Sequence, residues 1–174
     1  MTPIALCSDD YAQNPGIDAG ILELLACDRL TAVSCFSTAP NWKNTAAPAI
    51  REHKGQADIG LHFNLTEGFG QKRMPGLHAV ILRSLLNGMN AERLQQELER
   101  QLDAFEEGYG QAPDFIDGHQ HVHQLSGVRQ IVLQVIKRRY AGHPIWVRNT
   151  VPANPAWRGK PQILKYLSLI HISE

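Results

Sequence analysis

Five short strand-like runs alternate with helical stripes along this 174-residue chain, and that alternation limits the fold more than any other feature. The runs are Pro3 to Ser8, Thr31 to Phe36, Asp58 to Leu65, Asp114 to Gly118 and Ile145 to Arg148. After a turn at Asn14-Pro15-Gly16, residues Ile17, Ile21, Leu24 and Leu25 recur at helical spacing to about Asp28. A second helix spans about Asn44 to Lys54, with Pro48 near its first turn, where a missing N–H is tolerated. Gly68 to Gly76 reads as loop. Asn90 caps a helix carried by Leu94, Leu98, Leu102 and Phe105, which ends near Gly108 and Gly110. Ser126 caps another, carried by Val128, Ile131, Val132, Val135 and Ile136. Lys137, Arg138 and Arg139 lie in its last turns, where the helix dipole favours cations. The order β-α-β-α-β-α-α-β-α-β predicts an α/β protein, a parallel sheet covered by helices.

The chain is long enough for one domain with a real core, taken as residues 1–174. Seventeen basic and 17 acidic side chains cancel, so no basic field calls for nucleic acid. No apolar run approaches the ~20 residues of a membrane span. Met1-Thr2-Pro3 offers no basic region ahead of an apolar stretch, so the expectation is a cytoplasmic protein without a secretory signal. Cys7, Cys27 and Cys35 lack paired spacing; they read as reduced, mostly buried thiols, with Cys7 as a nucleophile the weaker alternative.

In folds of this class, chemistry gathers at the C-terminal ends of the strands. Three fragments fall there: Asp9-Asp10, Gly60-Leu61-His62, and Asp117-Gly118-His119-Gln120-His121-Val122-His123. If the last is extended, Asp117, His119, His121 and His123 share one face. Imidazole is the commonest metal-ligand side chain, and a carboxylate beside it binds metal or orients the ring. A lone histidine such as His62 is more often packed or solvated; it is the three fragments on one rim that point to a metal-assisted hydrolase. Asp117 reads equally well as a partner of a ligating imidazole and as a plain strand-end aspartate.

At Ser8-Asp9-Asp10-Tyr11, Gly60-Leu61-His62-Phe63-Asn64-Leu65-Thr66 and Asp117 to His123, the chain resembles the YdjC-like carbohydrate deacetylases, which include chitooligosaccharide deacetylase. Met74-Pro75-Gly76 adds to the likeness, which covers about residues 3 to 150. The resemblance implies an incomplete, distorted (β/α) barrel that removes acetyl groups from N-acetylated mono- or oligosaccharides with a divalent metal. Carried over, Asp10, His62 and His119 are the metal ligands and Asp9 is the general base. Such barrels run to on the order of 250 residues. The later strands, and a general-acid histidine from them, are therefore expected to be missing here, with 167–174 a foreign tail.

Amide hydrolysis needs an activated water, a stabilised oxyanion and a proton for the leaving amine. Within the chain, His121 and His123 are the candidates for the last task. Asp9 and Asp10 are adjacent, so an extended backbone would part them; a turn beginning there would bring both to the ion. The resemblance implies Mg²⁺, whereas two imidazoles favour Zn²⁺ on ligand chemistry. Trp42, Trp146 and Trp157 could stack on a sugar, although core packing suits each better. Arg148 reads as a substrate contact or an ion pair, Arg93–Glu97 as a solvated i, i+4 pair, and His53, His78, His143 and His171 as surface or loop residues. Rival readings are a metal-dependent hydrolase of another bond, such as a phosphoester, and a metal- or sugar-binding fragment without turnover. An incomplete barrel exposes strand edges and so invites self-association as a homodimer.

Overall fold

A computed structural model describes residues 5–71 and 73–149. Its sheet holds β1 (Cys7–Tyr11), β2 (Ala32–Cys35), β3 (Asp58–Phe63), β4 (Phe115–Gly118) and β5 (Trp146–Val147), all parallel and in sequential order. Sequential order means that every crossover steps the same way, so right-handed connections place their helices on one face. That is the winding of a (β/α) barrel, not of a doubly wound sheet, whose strand order reverses. Among the described residues β1 pairs only with β2, and β5 only with β4, so the barrel is open.

The register separates two chemistries. Val33, Cys35, Ile59, Leu61, Phe63 and Ile116 alternate onto the helix-covered face and join the apolar core with Leu25, Leu98, Leu102, Phe105 and Val132. The other face carries Ser34, Gly60, His62, Phe115 and Asp117, with His62 directly beside Asp117. A Cβ on Gly60 would lie 2.5 Å from the Phe115 ring, so glycine here is the room that Phe115 fills.

The helices are α1 (Pro15–Ala26), α2 (Ala47–Arg51), α3 (Leu77–Leu85), α4 (Ala91–Tyr109) and α5 (Val128–Arg139). Asn14-Pro15-Gly16 is a helix start rather than a free turn. Asn14 Oδ1 accepts the Gly16 and Ile17 N–H groups, both at 3.0 Å, and Pro15 occupies the first turn. A π-helical turn at Trp42–Ala46 leads into α2 and seats Trp42 in the core. The Trp42 indole stacks on Phe105 at 5.5 Å and donates to the Ala104 carbonyl at 2.8 Å. Helix α4 ends as predicted near Gly108 and Gly110, its last residue being Tyr109; a Cβ at Gly108 would meet Trp42 Nε1 at 2.4 Å. It stops at Gly110, whose φ of 86° is the left-handed C-cap. Asn90 caps α4 as the pattern predicts, accepting from Arg93 N at 2.8 Å. The cap of α5 is Gly127 (φ 80°), not Ser126; Gln130 accepts the Gly127 N–H, and the Ser126 carbonyl takes the Ser84 hydroxyl instead.

Two surface readings change. Glu97 pairs with Arg100 at 2.6 Å and also receives the Gln101 amide, so it is not simply a solvated partner of Arg93. Trp146 is half exposed but stacks on Phe115 at 4.1 Å and bonds Asp58, at the strand starts and away from the rim. All three cysteines are free: Cys35 is buried and Cys7 half-buried, but Cys27 is exposed. His78 and His143 are exposed, and His53 bonds Gln56. Trp157, His171 and 167–174 lie outside the described residues. Among the described residues no helix is long and apolar enough to cross a membrane.

The close contact at Gly60 gives a direct test. Gly60→Ala should lower stability by about 1–3 kcal/mol through overpacking. Gly20→Ala, in α1 with nothing within 4 Å of the new methyl, should raise it by about 0.5–1 kcal/mol. Urea denaturation of the two variants should move in opposite directions; a neutral Gly60→Ala would refute the packing.

Candidate metal centre

Each candidate side chain arrives from the C-terminal end of a strand. In β1 the pairing slips between Ser8 and Tyr11, a β-bulge, and Asp10 there has φ 64°. Ala12 follows at φ 75°, and Gln13 N closes a turn on the Asp10 carbonyl at 3.1 Å. Aspartate is among the few residues that tolerate this region. The bulge lies inside β1 and turns both aspartates to the polar face, Asp9 beside Asp117 and Asp10 beside His62. Asp10 turns toward the end of β3, while Asp9 stays on the side of Cys7.

Asp10 Oδ1 then lies 3.1 Å from His62 Nε2 and 3.0 Å from His119 Nδ1. Ligand atoms of these three residues all fall within 4.8 Å of one another. Phe36, fully buried, sets its ring edge-on to both imidazoles, at 4.9 Å from His62 and 5.0 Å from His119. The far nitrogen of His62 is fixed as well. Its Nδ1 lies 2.7 Å from Asp117 Oδ1 and 2.9 Å from Ser34 Oγ, and the Ser34 hydroxyl donates to the same Asp117 oxygen. Asp117, 1% exposed, thus orients a ring whose Nε2 faces Asp10. That Nε2 is buried and makes no hydrogen bond among the described residues; what it faces is Asp10 Oδ1, an ion-pair contact at 3.1 Å. An orphaned imidazole nitrogen beside a carboxylate and a second imidazole is a donor set that fits a divalent cation.

The extended run from Asp117 to His123 does not form. β4 stops at Gly118, and Gln120 (φ 52°) and His121 (φ 58°) are both left-handed within a tight turn at His119–Gln124. The three histidines therefore diverge. His119 reaches Asp10. His121 is half-buried. His123 is 1% exposed, with Nε2 3.1 Å from the Arg148 carbonyl and Nδ1 buried without a partner. Thr66 Oγ1 donates to Gln120 at 2.9 Å and ties this turn to the loop after β3. Buried Gln101 braces that loop by bonding both the N–H and the C=O of Asn64.

The electrostatics follow from the geometry. Burial would push the Asp10 carboxyl up, but the imidazoles of His119 and His62 close beside it hold it well below the carboxylate range. Asp117 is held low in the same way, burial being outweighed by His62, Ser34 and Arg148. Burial disfavours charge on His62, yet Asp117 and Asp10 together raise its pKa above the ordinary imidazole value. A proton on His62 thus supplies, in this ion-free state, the positive charge that two carboxylates demand. Burial, then Arg148, lowers the His121 pKa.

A second cluster, Cys7, Asp9 and Asp117, also gathers within 4.8 Å, but it already contains a cation. Arg148 Nη1 lies 2.5 Å from Asp9 Oδ1 and 2.9 Å from Asp117 Oδ2. Burial, then the two carboxylates, pushes the Cys7 thiol far above its ordinary value and so disfavours its thiolate form. A cavity of about 640 Å³ along Leu65, Met74, Pro75, Arg93 and Leu94 includes none of Asp10, His62 and His119. Ser34, Phe36 and Gln101 carry no motif. The one sign of Ser34 is a hydroxyl in an otherwise apolar strand.

The chain is 30% identical over 148 residues to human carbohydrate deacetylase, covering 77% of this chain and 45% of that protein. It is 29% identical to carbohydrate deacetylase from Geobacillus stearothermophilus (75% and 54% covered) and 27% identical to chitooligosaccharide deacetylase from Serratia marcescens (72% and 52%). It spans about half the length of these relatives. A crystal structure from Enterococcus faecalis V583, provisionally named a cellobiose-phosphate cleavage protein, shares the fold. Its TM-score is 0.66 at 20% identity, over 96% of this chain and 63% of that one. With residues 3–169 matching the family of YdjC-like proteins, the chain belongs to that family.

Proposed function

We propose that Asp10, His62 and His119 hold one divalent cation and that the site hydrolyses the acetamide of N-acetylated sugars of the chitooligosaccharide type. The observation that carries this is the buried Nε2 of His62, which makes no hydrogen bond and faces Asp10 beside His119, with its Nδ1 already locked by Asp117 and Ser34. The names of the relatives supply the substrate class. When bound, such an ion lowers the pKa of a water and polarises the acetyl carbonyl. One carboxylate with two imidazoles suits Zn²⁺ on ligand chemistry, and Mg²⁺ is the ion the family resemblance implies.

The remaining work falls to the chain itself. Asp9, with Oδ1 engaged by Arg148, keeps Oδ2 to accept the proton of the attacking water. Of the two histidines proposed for the leaving nitrogen, His121 is the better placed. It is half-buried at the rim, whereas His123 is sealed from solvent and tied to the Arg148 carbonyl. His121 rests neutral, so it must gain its proton within the cycle, and the proton taken by Asp9 is the available one.

Addition of Zn²⁺ or Mg²⁺ to the metal-stripped chain should raise its thermal midpoint, since a ligand bound only by the folded state stabilises it. Asp10→Ala and His119→Ala should abolish the rise; an undiminished rise in both would sink the ligand assignment.

Protonation gives a second test. The His62 pKa is raised in the folded, ion-free chain, so at pH 7 this ring carries a proton that a metal must displace. Binding should release about one proton near neutral pH and tighten as pH rises toward the folded pKa of His62. Calorimetry in buffers of different ionisation enthalpy counts that proton; no release would contradict a protonated His62.

Asp9→Asn should keep metal affinity while lowering turnover by about 10²–10⁴-fold, the usual span for a lost general base. Acetate release from an N-acetylated chitooligosaccharide measures it, and full activity in this variant would remove Asp9 from the mechanism.

A further inference from the structure

We propose that Arg148 is a positioning residue: by holding Asp9 and Asp117 with one nitrogen, it sets the base and the orientation of the His62 imidazole together. This rests on the metal reading above and extends it to a residue from β5. The geometry is specific. A single atom, Nη1, donates to Asp9 Oδ1 at 2.5 Å and to Asp117 Oδ2 at 2.9 Å. Asp117 is 1% exposed and uses its other oxygen for His62 and Ser34, so Arg148 fixes the plane in which Oδ1 meets the ring. On the other side, Arg148 takes one oxygen of Asp9 and so directs the remaining one.

The backbone of Arg148 is held separately. Its N–H bonds the Ile116 carbonyl at 3.2 Å, and its carbonyl lies 3.1 Å from His123 Nε2. Strand β5 has only two residues; its start is seated by the Phe115–Trp146 stack and the Trp146 bonds to Asp114 and Asp58, and its end by these bonds of Arg148. The third histidine of the motif is thus given a task other than chemistry: it anchors the strand end that delivers the guanidinium. A point charge could replace the guanidinium here, since both contacts come from one nitrogen rather than from a bidentate fork.

The test uses the full chain with Arg148→Met, which keeps bulk without charge, and Arg148→Lys, which restores one cationic nitrogen. Two readouts are taken: Zn²⁺ affinity by calorimetry, and the imidazole ¹⁵N signals of His62 by long-range ¹H–¹⁵N correlation. Arg148→Met should weaken Zn²⁺ by about 10–100-fold, the span expected when a group orienting a ligand is lost, and should shift the His62 Nδ1 signal. Arg148→Lys should recover most of both. An Arg148→Met variant that melts lower but keeps His62 signals and Zn²⁺ affinity within twofold would make Arg148 merely structural and overturn the proposal. If the parent chain binds no Zn²⁺, the metal reading fails by itself, and the His62 signals alone then decide for or against Arg148.

Discussion

One buried carboxylate organises this molecule. Asp117 on β4 takes the Ser34 hydroxyl from β2, the His62 imidazole from β3 and the Arg148 guanidinium from the end of β5. Arg148 also bonds Asp9 on β1, so one connected network links all five described strands. Burying a carboxylate costs several kcal/mol after relaxation. Hydrogen bonds to a charged group return about 1.5–3 kcal/mol each. Three donors therefore roughly cancel the cost, and the network adds little net stability. What it adds is selection, because removing any one donor would leave a buried charge poorly paired.

The order of strands and helices was legible because buried strands and amphipathic helices differ in apolar period, and the longest helix was the clearest. Leu94, Leu98, Leu102 and Phe105 are all buried as their spacing requires. The rim position of Asp10, His62 and His119 was legible for a topological reason: each stands at or near the end of a strand-like run in a parallel sheet. The errors have one source. Side-chain pattern does not report where the backbone turns left-handed, and Asp10, Ala12, Gln120 and His121 all do so without being glycine. Three histidines at alternate positions look like one face of a strand, but two left-handed residues between His119 and Val122 turn His119 toward His62 and leave His121 and His123 facing each other. Asn14-Pro15-Gly16 shows the same ambiguity, since Asn-Pro opens a helix as readily as a turn.

Seven described non-glycine residues have positive φ, and most of them gather at the site. Four lie in the two segments that build the centre, 10–12 and 120–121. Each costs of order 1–3 kcal/mol when it is not glycine. The strain is held by specific bonds: Asp18 accepts the Ala12 N–H at 2.6 Å, and Thr66 holds the Gln120 side chain. Asp18 is buried, and burial pushes its carboxyl up, so part of the stability of α1 is given over to fixing a turn at the site. The bulge in β1 serves the same end. Without it Asp9 and Asp10 would occupy opposite faces of the strand, and the second carboxylate would point into the helix-side core.

Stability and chemistry thus divide between the two faces of the same short strands. Val33, Leu61 and Ile116 fill the helix-side core, while Ser34, His62 and Asp117, one residue along in each case, form the polar face. A one-residue slip in register would exchange the two sets and drive an imidazole and a carboxylate into the apolar core. In a sheet whose last described strand is two residues long, backbone pairing alone is a weak guard against such a slip. The Asp117 network supplies the stronger one, because only one register lets Ser34, His62 and Arg148 reach the same carboxylate. The residues that orient the candidate ligands are therefore also those that hold the strands in the alignment that creates the centre.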